Sequence, residues 1–274
     1  KVKIIIATTK LKEDDVLVDI AKENNVLYYR GSTNNVLSRY YNAAKLYNLE
    51  TIVRITSDCP LIDIDILKIM LVEFNISNNT YLSNIRPPTF PDGYDIEIFN
   101  FISLKQSYIN PTTKFEKEHV TPYIINSTKT KKANFNNPFG DFSHLRITID
   151  YYEDLILLKK IINKSNYLNF TLKDLLKKKK TNKKLFDINL KFTRNEASFL
   201  NSGQKLWLRA NQIIAGGNSL LSKKPEIFLD KKWPTYYSKA KGCYIWDLDG
   251  NKYIDLCAMG VGTNILGYAN KDVD

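Results

Sequence analysis

Apolar positions change rhythm repeatedly along the first third of the chain. VKIIIATT (2–9) is a continuous apolar run of strand length. DDVLVDIAKEN (14–24) places Val16, Leu17, Ile20 and Ala21 on one face of a helix. VLYYR (26–30) is again strand-like and stops at Gly31. NNVLSRYYNAAKLYN (34–48) returns to helical spacing with Asn34 as its N-cap. TIVRIT (51–56) and IDILKIMLVEFN (64–75) repeat the pair. Short strands alternating with longer helices predict an α/β fold with a mostly parallel sheet and crossover helices.

The rhythm then loosens. YLSN (81–84) and YDIEIF (94–99) read as strands around the Pro/Gly-rich loop RPPTFPDG. Helices are expected over 100–109 and 115–126. HLRITID (144–150) reads as a strand, and YYEDLILLKKIIN (151–163) as the helix after it. Residues 164–204 are rich in Lys and Asn, with a weak helical pattern at 171–180, and read as a linker. Beyond them KLWLRANQII (205–214) suits an amphipathic helix. GCYIWDLDGNKYIDLCAMGVG (242–262) suits a hairpin around Asp249-Gly250, with a type I′ turn. Three segments result: 1–163, 164–204 and 205–274.

Composition narrows the classes. The chain has 274 residues and 43% hydrophobic residues, enough for a core. No apolar run reaches the ~20 residues of a membrane helix. The net charge is +11, but Lys carries most of it, and the densest run, KKKKTNKK (177–184), lacks interleaved aromatics. That pattern points to a solvated face rather than a nucleic-acid surface. Three cysteines without a CxxC and two histidines argue against zinc and for a cytoplasmic, reducing location. Cys243 and Cys257 read as small buried hydrophobes.

Two acids stand at strand ends, where parallel sheets place ligands. Asp58 follows TIVRITS and Asp150 follows LRITI. Such a pair can hold Mg²⁺ through oxygen ligands, and either acid alone can equally cap the helix that follows it. Pro60 stops the strand and opens the next helix. Alternation puts Arg146, Thr148 and Asp150 on one face. Arg146 is therefore open to two readings, a phosphate contact or an ion pair with Asp150.

RGSTNNVLSRYYNAA, VRITSDCPLID, FPDGYDIEIF, EKEHVTPYI and SHLRITIDYYEDL occur in that order. Together they resemble the cytidylyltransferase family of the spore-coat polysaccharide F-type proteins and, more distantly, the CMP-Kdo and CMP-sialic acid synthetases. The resemblance covers residues 1–163. It implies a Rossmann-like nucleotidyltransferase domain in which a sugar attacks the α-phosphate of CTP, releasing pyrophosphate and a CMP-sugar. It further implies Asp58 and Asp150 as Mg²⁺ ligands and Arg30 and Arg39 near the nucleotide. Asp92, Gly93, Asp95, His119 and Arg146 would lie near the sugar. The resemblance assigns no catalytic residue. The family's Gly-rich phosphate loop has no counterpart: KVKIIIATT matches the family's second strand. The resemblance thus implies a chain that starts inside the fold and is inactive by itself.

Residues 205–274 resemble a different family. KLWLRANQIIAGGNSLLSKKPEIF, AKGCYIWDLDGNKYIDL and MGVGTNILGYANKDVD are similar to the amino-terminal segment of class III aminotransferases, nearest glutamate-1-semialdehyde aminomutase. That implies a small α+β segment that packs on a homodimer partner in a fused parent protein. Pyridoxal phosphate would belong only to that complete parent.

Overall fold

The computed structural model describes residues 2–110, 113–162, 169–192, 194, 202–218, 224–229, 233–256 and 266–273. They form two compact units, Lys1–Lys191 and Phe192–Asp274.

In the first unit β1 (Ile5–Thr9) and β2 (Leu27–Gly31) pair in parallel, Ile5 opposite Leu27, joined through α1 (Asp15–Glu23). The next helix, α2 (Val36–Leu46), is capped by Asn35, whose side chain accepts from Ser38 N, rather than by Asn34. Four further strands are β3 (Thr51–Arg54), β4 (Tyr81–Ser83), β5 (Glu97–Asn100) and β6 (Lys132–Asn134). Their order is β3-β5-β4-β6.

This second sheet is mixed, which corrects the expectation of a mostly parallel one. β5 runs antiparallel to both β3 and β4, while β4 and β6 are parallel. The cause is the connection. The chain leaves β4 through the Pro/Gly-rich excursion, with no crossover helix, and so returns in the opposite direction.

Helix α3 (Ile64–Ile76) begins at Asp63, not at Pro60. Asp63 Oδ1 accepts from Asp65 N and Ile66 N, satisfying donors that the first turn leaves open. The expected helix over 100–109 is α4 (Phe101–Ile109), capped by Asn100. The one expected over 115–126 is broken into α5 (Lys114–His119) and α6 (Pro122–Asn126). Val120 between them has φ +69. A β-branched residue adopts that conformation only where its surroundings impose it, and Val120 is fully buried.

Residues 144–150 do not form a ladder strand. Residue 144 lies in a turn, and the stretch after it carries an isolated bridge, Asp92↔Arg146. Its partners are loop backbones, so no regular register can extend. Helix α7 (Tyr152–Ile161) follows.

The Lys/Asn-rich stretch is only partly a connection. Thr171 and Asp174 form a capping box that starts α8 (Leu172–Thr181). Leu172 and Leu175 are buried in the same core as Met70, Leu82, Ile98, Ile147 and Leu157. The 3₁₀ turn Lys183–Asn189 adds Phe186. Residue 163, the expected domain end, and 195–201 lie outside the described residues.

In the second unit α9 (Ser202–Ile213) precedes an antiparallel sheet of β7 (Tyr237–Lys241), β8 (Tyr244–Asp247) and β9 (Lys252–Ile254). The expected type I′ turn is absent. Gly250 has φ +85, Asp249 is not in the left-handed region, and Gly250 N donates to Asp247 O at 3.2 Å. Asp247 N also donates to Asn251 O at 3.0 Å. This is a three-residue loop, a type I turn closed by glycine. The Asp247 carboxylate favours it by accepting from the backbone of Asp249 and Asn251. Cys243 is exposed, against expectation, and Cys257 falls outside the described residues. No described helix is long and apolar enough to cross a membrane.

Candidate active site

The turn after β3 places Asp58. Cys59 N donates to Thr56 O at 3.1 Å, closing that turn. The backbone carbonyl of Asp58 then accepts from Ile149 N (2.9 Å) and from Thr148 Oγ1 (3.0 Å). This contact puts the chain around Asp58 beside the chain leading into Asp150, although 90 residues separate Asp58 from Thr148. Asp95 arrives from a third direction. Its backbone N–H meets the Cys59 sulfur, and its charge, like that of Asp58, acts on the Cys59 thiol. Burial first, then those two carboxylates, push that thiol well above its ordinary pKa, which removes it as a nucleophile.

The Pro91–Asp95 loop is pinned to the 145–148 segment. Asp92 N donates to Leu145 O (2.8 Å), and Ile147 N donates to Asp92 O (2.7 Å). Gly93 has φ +105, and a Cβ there would lie 2.6 Å from Thr148 N. Only glycine allows so close an approach.

Arg146 lies at the centre. Its Nη1 donates to Asp92 Oδ2 (2.9 Å), and its Nη2 meets Asp150 Oδ2 (2.6 Å) and Asp154 Oδ2 (2.9 Å). Its Nε meets Asp154 Oδ1 at 3.0 Å. Side-chain exposure is 6% for Arg146, 8% for Asp92, 0% for Asp154 and 28% for Asp150. Of the two readings open for Arg146, the geometry is that of the ion pair. Asp92, expected near the sugar, is turned inward onto the same guanidinium.

Asp154 and Asn189 were not legible as site residues. Asp154 also accepts from Asp150 N, Tyr151 N and Asn189 Nδ2. Burial opposes its charge, but the Arg146 and Asn189 hydrogen bonds and the two backbone N–H groups hold its carboxyl below the ordinary range. An acid four residues past a strand-end acid, in the first turn of a helix, is the signal that points to Asp154. Asn189 comes from 35 residues away and leaves no local signal.

The two arginines expected near a nucleotide differ. Arg30 spends its donors locally: Nε to Thr9 O (2.8 Å), Nη1 to Asp15 (2.6 Å) and Nη2 to Leu11 O (2.7 Å). The stem of Arg39 lies over Gly31, and its buried Nε has no hydrogen-bond acceptor. Arg54 in β3 also has a buried Nε without an acceptor, while its Nη1 pairs with Glu97 Oε2 at 2.6 Å. Glu97 further accepts from Tyr81 Oη (2.6 Å) and Thr121 Oγ1 (2.8 Å). Burial raises the pKa of the Tyr40 hydroxyl, on which the charges of Arg54, Glu97, Arg39 and Asp58 all act. These groups therefore form one neighbourhood. His119 ends α5 with its ring 4.4 Å from Phe115, and Thr121 N donates to its carbonyl.

Comparison with known proteins bears on the family. Over 188 residues the chain is 32% identical to an uncharacterized protein of Methanocaldococcus jannaschii, covering 68% of this chain and 76% of that one. It is 29% identical over 167 residues to the spore coat polysaccharide biosynthesis protein SpsF of Bacillus subtilis, covering 59% and 68%. The structure of a cytidylyltransferase from Leptospira borgpetersenii matches with a TM-score of 0.62 and 38% identity, over 66% of this chain and 77% of that one. A separate stretch of 74 residues is 38% identical to glutamate-1-semialdehyde 2,1-aminomutase of Methanothrix thermoacetophila, of which it spans only 16%. The cytidylyltransferase family model matches residues 1–195, the whole first unit and its exit. Over that span the chain belongs to the cytidylyltransferase family.

Proposed function

We propose that the first unit transfers a cytidylyl group from CTP to a sugar or sugar acid, with Mg²⁺, in surface polysaccharide synthesis. The observation that carries this is the contact of the Asp58 backbone with Thr148 and Ile149, which sets the turn of Asp58 beside the chain leading into Asp150, in a cytidylyltransferase-family chain. The similarity to the Bacillus subtilis spore-coat protein supports the polysaccharide role.

The donor set fits a hard cation. Asp58 Oδ1 has a long contact with Cys59 Sγ (3.6 Å), and Asp150 engages Arg146 through Oδ2. Asp58 is partly buried and Asp150 is exposed. No described group of three or more His, Cys, Asp or Glu encloses a metal. Mg²⁺ binds through one or two carboxylates and completes its shell with water and phosphate oxygens, and it neutralises charge on the phosphates. Arg39, with its unsatisfied Nε, suits the nucleotide better than Arg30, whose donors are spent. Gly93 and Asp95 would present the sugar-side loop, with Asp92 anchoring it, and His119 at the end of α5 would add a further sugar contact.

The test is pyrophosphate release from CTP by the full-length protein, with Mg²⁺ and a panel of sugars. Asp58→Asn should lower kcat/KM by about 100-fold or more. Absence of both Mg²⁺-dependent CTP binding and pyrophosphate release would refute the reading.

A second reading concerns the second unit. Its similarity to the aminomutases supports a class III aminotransferase segment in a fused, homodimeric parent that uses pyridoxal phosphate. Lys224, Lys239, Lys241, Lys252 and Lys271 of this unit all reach solvent, so none of these five is the enclosed lysine that cofactor needs. Sedimentation of the full-length protein tests the dimer: a monomer at micromolar concentration would remove that part of the reading.

A further inference from the structure

We propose that Arg146 is a positioning residue that competes with the divalent cation for Asp150, with Asp92 and Asp154 setting how strongly it competes. The inference rests on the cation reading given above.

One guanidinium faces three carboxylates, all within 3.0 Å of its nitrogens. These described contacts set three carboxylates against one guanidinium in a mostly water-poor place, so the acids share Arg146 between them. The three acids are not equally able to change partner. Asp154 is fully buried and also bound by Asn189 Nδ2 and two backbone N–H groups. Asp92 is nearly as buried, and its backbone is tied to Leu145 and Ile147. Asp150 alone reaches the solvent edge. A cation arriving beside Asp58 can therefore take over Asp150 Oδ2 while Arg146 stays fully held by Asp92 and Asp154. No bond is made or broken in this exchange except ionic contacts.

The arrangement also connects two parts of the site. Asp92 belongs to the Pro91–Asp95 loop, and Asp150 to the cation edge. If the loop draws Asp92 away, the guanidinium concentrates on Asp150 and the cation loses. If Asp92 stays engaged, Arg146 is shared and Asp150 is easier to recruit. Removing the Asp92 charge should weaken the cation twice over, through a tighter Arg146–Asp150 pair and through less negative charge nearby. Arg146→Lys keeps the charge but lacks the planar fork, so it cannot hold three acids together. That change should release Asp150 to the cation.

The experiment is a Mn²⁺ titration of the full-length protein followed by electron paramagnetic resonance, without nucleotide or sugar. Asp150→Asn should weaken Mn²⁺ by at least about tenfold, Asp92→Asn by about three- to tenfold, and Arg146→Lys should tighten it by a similar factor. In the Arg146→Lys background most of the Asp92→Asn effect should vanish. If Asp92→Asn weakens Mn²⁺ equally in both backgrounds, it acts as a bare charge and the inference fails. If Asp150→Asn loses Mn²⁺ but the other two variants match wild type, the cation reading stands and this inference alone falls. If wild type binds no Mn²⁺, this inference falls, while the cation reading is decided by Mg²⁺-dependent CTP binding and pyrophosphate release. Should Arg146→Lys not fold, the Arg146 guanidinium ¹⁵N resonances of wild type must shift during a Mg²⁺ titration, and shift less in Asp92→Asn. An unmoved resonance overturns the proposal.

Discussion

Gly93 shows how one residue type can decide the geometry of a site. Gly93→Ala would force a Cβ into the backbone of Ile147 and Thr148 at a φ that L-residues avoid. It should cost more than about 2 kcal/mol in urea unfolding, because backbone rather than a flexible side chain must yield. Asp154 offers a second test through pH. Its folded pKa lies below the ordinary 3.8, so its contribution is complete above the unfolded value and is lost as pH falls through the folded one. Asp154→Asn should therefore destabilise the protein at pH 7, while thermal melts of the variant decline less steeply than wild type below about pH 4. Much of this scale was legible in the sequence. Alternation along LRITID put Arg146 and Asp150 on one face, and they do pair. The burial of Asp92 against Arg146 was not legible, because it depends on a bridge between segments 54 residues apart.

At the scale of elements, periodicity located most helices and strands of the first unit but not their directions. Strand direction follows from connections, and the loop between β4 and β5 carries no signal that tells a hairpin-like return from a crossover. The α8 region was misjudged for a related reason. Lysines dominate its sequence, and its packing is recorded by Leu172 and Leu175, which are buried, with Leu176 partly buried against the same core. Two buried apolar positions in ten residues are too few to define a period. Asp63 makes the role of α8 testable, since its Oδ2 accepts from Leu172 N (2.8 Å) while its Oδ1 caps α3. Leu175→Ala should destabilise the first unit by about 2–5 kcal/mol, the range for a buried leucine. A change below about 0.5 kcal/mol in denaturant titration would mean that α8 behaves as a surface linker.

For the whole molecule, each unit has its own contacts, and the first contains its own core. A chain ending at Lys191 should keep the cooperative melt of the first unit, with a Tm within a few degrees of that in the longer chain, read by differential scanning calorimetry. The units divide at Lys191, short of the change of texture near residue 200, and the high charge of residues 170–189 hides their packing in the first unit.

Among the described residues β1 ladders only to β2, and β3 only to β5, so each leaves one row of backbone donors and acceptors without a strand beside it. The approach to β1 is apolar as well, with Val2 82% and Ile4 68% exposed. Such a margin is adhesive, since backbone groups without a ladder recruit any extended chain that reaches them. Concentrated solutions of these 274 residues should thicken by strand-on-strand association, visible as light scattering that grows with concentration. Ile4→Lys, a charged gatekeeper at the sticky rim, should suppress it.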